Sequence, residues 1–374
     1  MDTLLKPPPL QGVSVLDFST LLPGPLCSLL LADAGAKVLK VERPGGDEMR
    51  SYEPKFGPDS AVFGLLNRGK DSVTLDLKGP DGQQRARELA LQADVLVEQF
   101  RPGVMARLGL DYESLRDDNP RLIYCSITGF GQAGPLAGQA AHDLNFLAES
   151  GMLSLCTDAE GKPPLPPALI GDIGGGTYPA VMNILLALRQ REATGEGCHL
   201  DVAMADNLFT FSAWALGRGW ANGRWPQPGG EYVTGGTPRY QIYRTLDGGH
   251  LAAAPLEQRF WATFLQVLGA PELLDDGADP AETTRRVAGI ISLKTRADWE
   301  RRFTGIDACV SVVRTLQEAV DHPHFRARGL FTRQLAWGGT TMPALHTPVA
   351  EGLRAAGDKQ GYPPLHSPQA HLER

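Results

Sequence analysis

Short runs of β-branched and apolar residues alternate with helical patterns through the first two hundred residues, and this alternation restricts the fold more than any other feature. GVSVLDF (12–18) reads as a strand, PLCSLLLADAG (25–35) as a helix and AKVLKVE (36–42) as a second strand. DGQQRARELALQA (81–93) spaces its apolar residues as an amphipathic helix, and ADVLVEQF (93–100) follows as a strand. RLIYCSI (121–127) and CHLDVAM (198–204) continue the strand series, the latter after a long apolar helix, YPAVMNILLALRQRE (178–192). Strands joined through helices cross over the sheet and run parallel, so an α/β fold is expected, with a Rossmann-like large domain over residues 1–217.

The texture changes at RGWANGRWPQPGGEYVTGGTPRY (218–240), rich in Gly, Pro and Trp and without periodicity, which reads as an extended linker. A small α/β domain is expected over 241–318. It opens with two strands around the Asp-Gly-Gly turn of YQIYRTLDGGHLAAAP and continues as mostly helical sequence. Residues 319–374 return to mixed strand and turn signals. No internal repeat, low-complexity run or heptad pattern interrupts this order.

A formal charge of −7 argues against a surface built to hold nucleic acid, because neutralising phosphates requires a basic face. It leaves open a local basic pocket for one phosphorylated ligand. The five cysteines are odd in number and never fall in a CxxC arrangement, so neither a disulfide framework nor a zinc site is expected, and the compartment reads as reducing. No basic start leads into an apolar signal segment, and no apolar stretch reaches the length of a membrane span, so a soluble cytoplasmic chain without membrane or nucleic-acid partners is expected.

Four stretches carry possible chemistry. GFGQAG (129–134) has the spacing GxGxxG after a strand, but Pro135 follows at once and no helix opens there to receive a pyrophosphate. The competing reading is a glycine-rich turn lining a cleft. HPHF (322–325) pairs two histidines around a proline with no carboxylate or thiol cluster nearby, and reads as a turn, so no metal site is expected. Neither HExxH nor GxSxG occurs. His142, in AAHDLNFLAES (140–150), stands before a short helix, either as a structural residue or as an acid–base group; Asp143 after it suits a helix N-terminus. Asp172 precedes Gly174, Gly175 and Gly176, which let backbone or ligand approach closely; it reads either as a turn or capping acid or as a reactive carboxylate. The residues alone leave these alternatives open.

Taken in order, the segments GVSVLDFSTLLPGPLCSLLLADAGAKVLKVERPGGD, LNRGKDSVTLDLK, DVLVEQFRPGVMARLGL, LIYCSITGFGQAGP, AHDLNFLAESG, GDIGGGTYPAVMNILLAL, IDACV and DHPHFRARG closely resemble the family III CoA-transferase (CaiB/BaiF) superfamily. Within it the α-methylacyl-CoA racemase branch is the most similar. Ala141 stands where that branch carries glycine before its histidine.

The resemblance implies a large domain built from the N-terminal half plus the C-terminal tail, a small domain between them, and two chains interlaced as a homodimer. It implies an acyl-CoA thioester as substrate, with no separate cofactor. In transferases of this family the acid matched by Asp172 attacks the thioester, whereas racemases add the histidine matched by His142. The expected reaction is therefore epimerisation of 2-methyl-branched acyl-CoA thioesters through an enolate. CoA transfer between carboxylic acids through an anhydride at Asp172 is the alternative, and a CoA-ester-binding protein without chemistry is a third. The N–H at Asp143 is placed to meet the enolate oxygen if the helix begins there, and Glu257 matches an acid that reaches the histidine from the other subunit. Arg43, Lys70 and Arg101 follow strands, where an open α/β sheet collects its ligand, and match the basic residues that hold CoA.

Overall fold

A computed structural model of the chain describes residues 7–158 and 160–365. The chain start read above for a leader and the end of the 319–374 segment lie outside the described residues. Contacts divide the chain into two units. The first comprises residues up to Ser150, Pro166–Phe211 and the segment from Arg328 on; the second comprises Gly151–Leu165 and Ser212–Ala327.

Six strands form the sheet of the first unit: β1 (Ser14–Asp17), β2 (Lys37–Glu42), β3 (Asp71–Thr74), β4 (Val95–Glu98), β5 (Ile123–Thr128) and β6 (Cys198–Ala203). Their spatial order is β3-β2-β1-β4-β5-β6, with every neighbouring pair parallel. The central strands are buried on both faces, as the unbroken apolar runs require: Val15, Leu16, Val95, Leu96, Val97 and Ile123 have no exposed surface. β3 was not among the strands read from sequence, because DSVT carries only one strongly apolar residue.

Helix Pro23–Asp33 is buried along its whole length, with prolines in its first turn, where their missing N–H costs nothing. Helix Pro80–Gln92 buries only Ala86, Leu89 and Ala90, as its amphipathic spacing predicts. The direction of winding reverses between β1 and β4. The segments that leave these two strands part there and open a crevice at their carboxyl ends, the place where an open α/β sheet binds ligands.

The segment from Arg328 on is bonded into this unit. Strand Gln334–Trp337 pairs with Thr340–Pro343 and Lys359–Gly361, and Leu335 and Tyr362 pack on Leu29 and Phe63. Asp33, 1 % exposed, accepts from both terminal nitrogens of Arg68 at 2.6 and 2.7 Å, from Arg333 at 3.1 Å and from the Thr347 hydroxyl.

The second unit has its own core. Strands Gln241–Arg244, His250–Ala253 and Val310–Val312 form an antiparallel sheet with the middle one central. Trp261, Phe264, Val287, Ile291 and Trp299 from three helices pack in the same cluster as Tyr243 and Leu251 of that sheet. The Asp-Gly-Gly turn is present, with Gly248 at φ +79° and Thr245 N–H bonded to Gly249 O at 2.8 Å. The stretch expected to be irregular from residue 218 begins inside a helix, Ala213–Asn222. Gly219 does not break that helix, because it is where the Trp225 ring packs: a Cβ there would lie 2.5 Å from the indole. Residues 223–240 carry only turns. Among the described residues no helix is long and apolar enough to cross a membrane.

Candidate active site

A cavity of about 370 Å³ occupies the crevice at the reversal point, and Leu21, Arg101, Thr128, His142, Asn145 and Asp172 are among its lining residues. His142 and Asp172, thirty residues apart in the chain, both line it.

Asp172 lies in a wide π-helical turn, Gly171–Thr177, that runs straight into helix Tyr178–Thr194. Such turns recur at functional sites. The glycines make this one possible. A Cβ on Gly175 would sit 2.3 Å from the Met204 carbonyl oxygen, one on Gly176 2.9 Å from the Met204 side chain, and one on Gly174 2.7 Å from the Phe211 ring. The turn is pinned by Thr177 Oγ1 to Pro23 O and Asn207 Nδ2 to Gly175 O, both at 2.8 Å.

His142 is the last extended residue before helix Asp143–Glu149. Its backbone N–H donates to Asn145 Oδ1 at 3.0 Å, and Asn145 N–H donates back to the His142 carbonyl at 2.8 Å. Asp143, 6 % exposed, accepts the Asp172 backbone N–H at 2.9 Å, so its carboxylate ties the His142 and Asp172 segments together. That is a use the sequence did not indicate, additional to the N–H expected of it.

The electrostatics follow from this packing. Burial raises the Asp172 carboxyl to about 6, helped by the neighbouring Asp143 carboxylate and opposed by His142. A carboxyl in that range can exist in either protonation state near neutral pH.

The GFGQAG loop serves the cavity wall. Gly129 lines the cavity, and a Cβ there would meet the Phe146 ring at 2.6 Å; Gly131 and Gly134 take φ of +81° and +103°, and Gln132 N–H is held by Asp201 at 3.0 Å. Leu21, another lining residue, takes φ +60° without being glycine, a strained backbone held by its surroundings at the site.

The basic residues separate. Arg101 is exposed at the cavity and, among the described residues, no carboxylate is paired with it. Arg43 is exposed in an adjoining cavity of about 460 Å³ that shares Thr20 and Phe100 with the first; its Nε bonds Gly46 O at 3.1 Å. Lys70 is corrected: it is 5 % exposed and lines neither cavity, because Asp17, Pro25 O and Asn67 take its ammonium at 3.5, 2.9 and 2.8 Å. Burial pulls its pKa down to about 7 against the attraction of Asp17, and its role is to brace the loop after β1. Glu257 belongs to the second unit, where it is exposed and precedes helix Gln258–Leu268 without capping it. The preceding carbonyl, Leu256 O, is held by Tyr232 at 3.0 Å and Arg239 at 3.1 Å.

Sequence reasoning missed Gln99, Thr128 and Asn145. Gln99 lines the cavity and receives Gly24 N–H at 3.0 Å; it and Thr128 stand at strand ends, which is where such residues can be sought. Asn145 had a clear signal, an amide three residues after the residue that begins a helix.

A parallel sheet whose reversal point joins a titratable carboxyl to a histidine is the framework of an enzyme working by carboxylate or acid–base chemistry. Residues 10–365 match the model of CoA-transferase family III, and the chain belongs to that family. It is 38% identical to alpha-methylacyl-CoA racemase of Homo sapiens, over 92% of this chain and 89% of that protein. It is 34% identical to succinate–glutarate CoA-transferase of Agrobacterium fabrum, over 98% and 95%. Among solved structures, a CAIB/BAIF family protein from Brucella suis superposes with a TM-score of 0.82 at 30% identity, covering 96% of this chain and 97% of that one.

Arg101→Ala is expected to weaken binding of a CoA thioester by roughly tenfold, the scale of one lost charge-assisted hydrogen bond. Calorimetry at two salt concentrations checks it. Binding should fall with salt in the unmodified protein and fall less steeply in the variant, because a screened ion contact has been removed.

Proposed function

We propose that this protein is a racemase of 2-methyl-branched acyl-CoA thioesters. The observation that carries the reading is the convergence of His142 and Asp172 on one cavity, with Asp172 raised to about 6. Inverting a carbon next to a thioester carbonyl requires a base on one face and an acid on the other. One residue takes the α-proton as the C–H electron pair moves into the carbonyl, giving an enolate; the other returns a proton to the opposite face. Histidine and a carboxyl near neutrality can exchange these roles, and positioned acid–base groups each contribute about a hundredfold to ten-thousandfold.

The N–H of Asp143 is proposed to donate to the enolate oxygen, while its carboxylate holds Asp172. Arg101 and Arg43 are proposed to hold the phosphates of CoA. The reading includes a Rossmann-like large domain and an interlaced homodimer in which Glu257 of a partner subunit orients His142. The reaction needs no metal or redox group. The test is to supply one 2-methylacyl-CoA epimer and no carboxylic acid. Both epimers should accumulate, and retained configuration overturns the proposal.

A second reading is CoA transfer, favoured by the extended similarity to a CoA-transferase. There an Asp172 oxygen attacks the thioester carbonyl, the C–S bond breaks, and CoA thiolate leaves behind a mixed anhydride. The thiolate then attacks the aspartyl carbonyl, releasing the donor carboxylate and leaving CoA as a thioester on Asp172, and an acceptor carboxylate takes the CoA by the same steps in reverse, restoring the Asp172 carboxylate. The presence of His142 beside Asp172 favours the racemase.

A further inference from the structure

We propose that Asn145 is the positioning residue for His142, fixing the backbone from which the imidazole meets the cavity; this rests on the racemase reading above. The donor is the His142 backbone N–H, so the Asn145 atom 3.0 Å away must be its side-chain oxygen. The return bond from Asn145 N–H at 2.8 Å closes a ring over the same residues, and His142 is thereby held through both its N–H and its carbonyl at φ −127° and ψ 176°. His142 is an exposed residue in this chain, with little packing of its own to keep it in place. Its neighbour Asp143 is in turn bonded to Asp172 N–H, so one turn sets the spacing of both reactive groups. Displacement of such a group by about an ångström costs on the order of a hundredfold in rate.

A residue that merely stabilised the helix end would affect folding and leave the chemistry of the folded enzyme alone. Two variants separate these roles. Asn145→Leu keeps the bulk and removes the acceptor, whereas Asn145→Asp keeps an acceptor oxygen at the same position. The measurements are kcat and KM for solvent deuterium exchange into a 2-methylacyl-CoA, the pH profile of kcat/KM, and Tm.

Asn145→Leu should lower kcat about ten- to a hundredfold with KM little changed, and Asn145→Asp should restore most of kcat. The charged groups acting on Asp172 are Asp143 and His142, and Arg101 lines the same cavity. His142 pulls the Asp172 pKa down, so loosening it in Asn145→Leu should move the acid limb of the profile upward. A lowered Tm with kcat and the acid limb unchanged overturns the proposal, as does equal loss of kcat in both variants. Absence of exchange in the unmodified protein removes the racemase reading with it; exchange that Asn145→Leu leaves intact removes the positioning role alone.

Discussion

Asp172→Asn is expected to abolish epimerisation, lowering kcat by about a hundredfold to ten-thousandfold, while CoA-ester binding stays close to that of the unmodified protein. The amide keeps the size of the side chain, and the backbone N–H that bonds Asp143 is retained, so the lost function is proton transfer alone. The expected pH dependence follows from the carboxyl's position at about 6. In the direction where Asp172 gives the proton, the rate should fall as pH rises through about 6. In the direction where Asp172 takes the proton, the rate should fall as pH drops through the same range. Mass spectrometry of the unmodified protein during turnover is the companion measurement. A racemase forms no covalent intermediate, so intact mass should be unchanged, and an acyl or CoA adduct on Asp172, released by hydroxylamine, would establish the transferase instead.

His142→Ala should have a loss of the same size, and it divides the two chemistries more sharply. Inversion needs both partners, so removing either stops it. Transfer through an anhydride at Asp172 needs only the carboxylate as nucleophile, and His142→Ala should leave much of such a rate standing. The variant is therefore assayed twice, for inversion of a single thioester and for transfer of CoA to an added carboxylic acid. Loss of the first with no transfer in either protein fits the racemase. Robust transfer that survives the substitution fits the alternative.

The parts of this arrangement readable in advance are those with a strong period. Continuous apolar runs such as VLVE and IYCSI can be buried only as central strands of a covered sheet, and they are. At the Asp172 segment the residues leave a turn acid and a reactive carboxylate both open; what the structure adds is the reason for the glycines, since a Cβ on Gly175 would lie 2.3 Å from a carbonyl oxygen. The failures have physical causes too. Lys70 reads as a basic residue after a strand, but it precedes β3 instead, and sequence cannot reveal that Asp17, fifty-three residues earlier, would take its ammonium. Gly219 and its neighbours read as irregular because glycine lowers helix propensity; the packing of Trp225 against Gly219 overrides that local cost. Asp143 reads as a helix-start acid and as an N–H donor; that its carboxylate accepts from Asp172 N–H is a contact across twenty-nine residues that no local pattern encodes.

In the racemase reading His142 and Asp172 exchange protons with the α-carbon of one thioester. The most direct measurement is incubation of the purified protein with a single 2-methylacyl-CoA epimer in D2O, without any carboxylic acid, followed by chiral separation and mass analysis of both epimers. The inverted product is expected to appear carrying one deuterium at C2. Full retention of configuration with no deuterium at C2, alongside CoA transfer once a carboxylic acid is added, would contradict that reading.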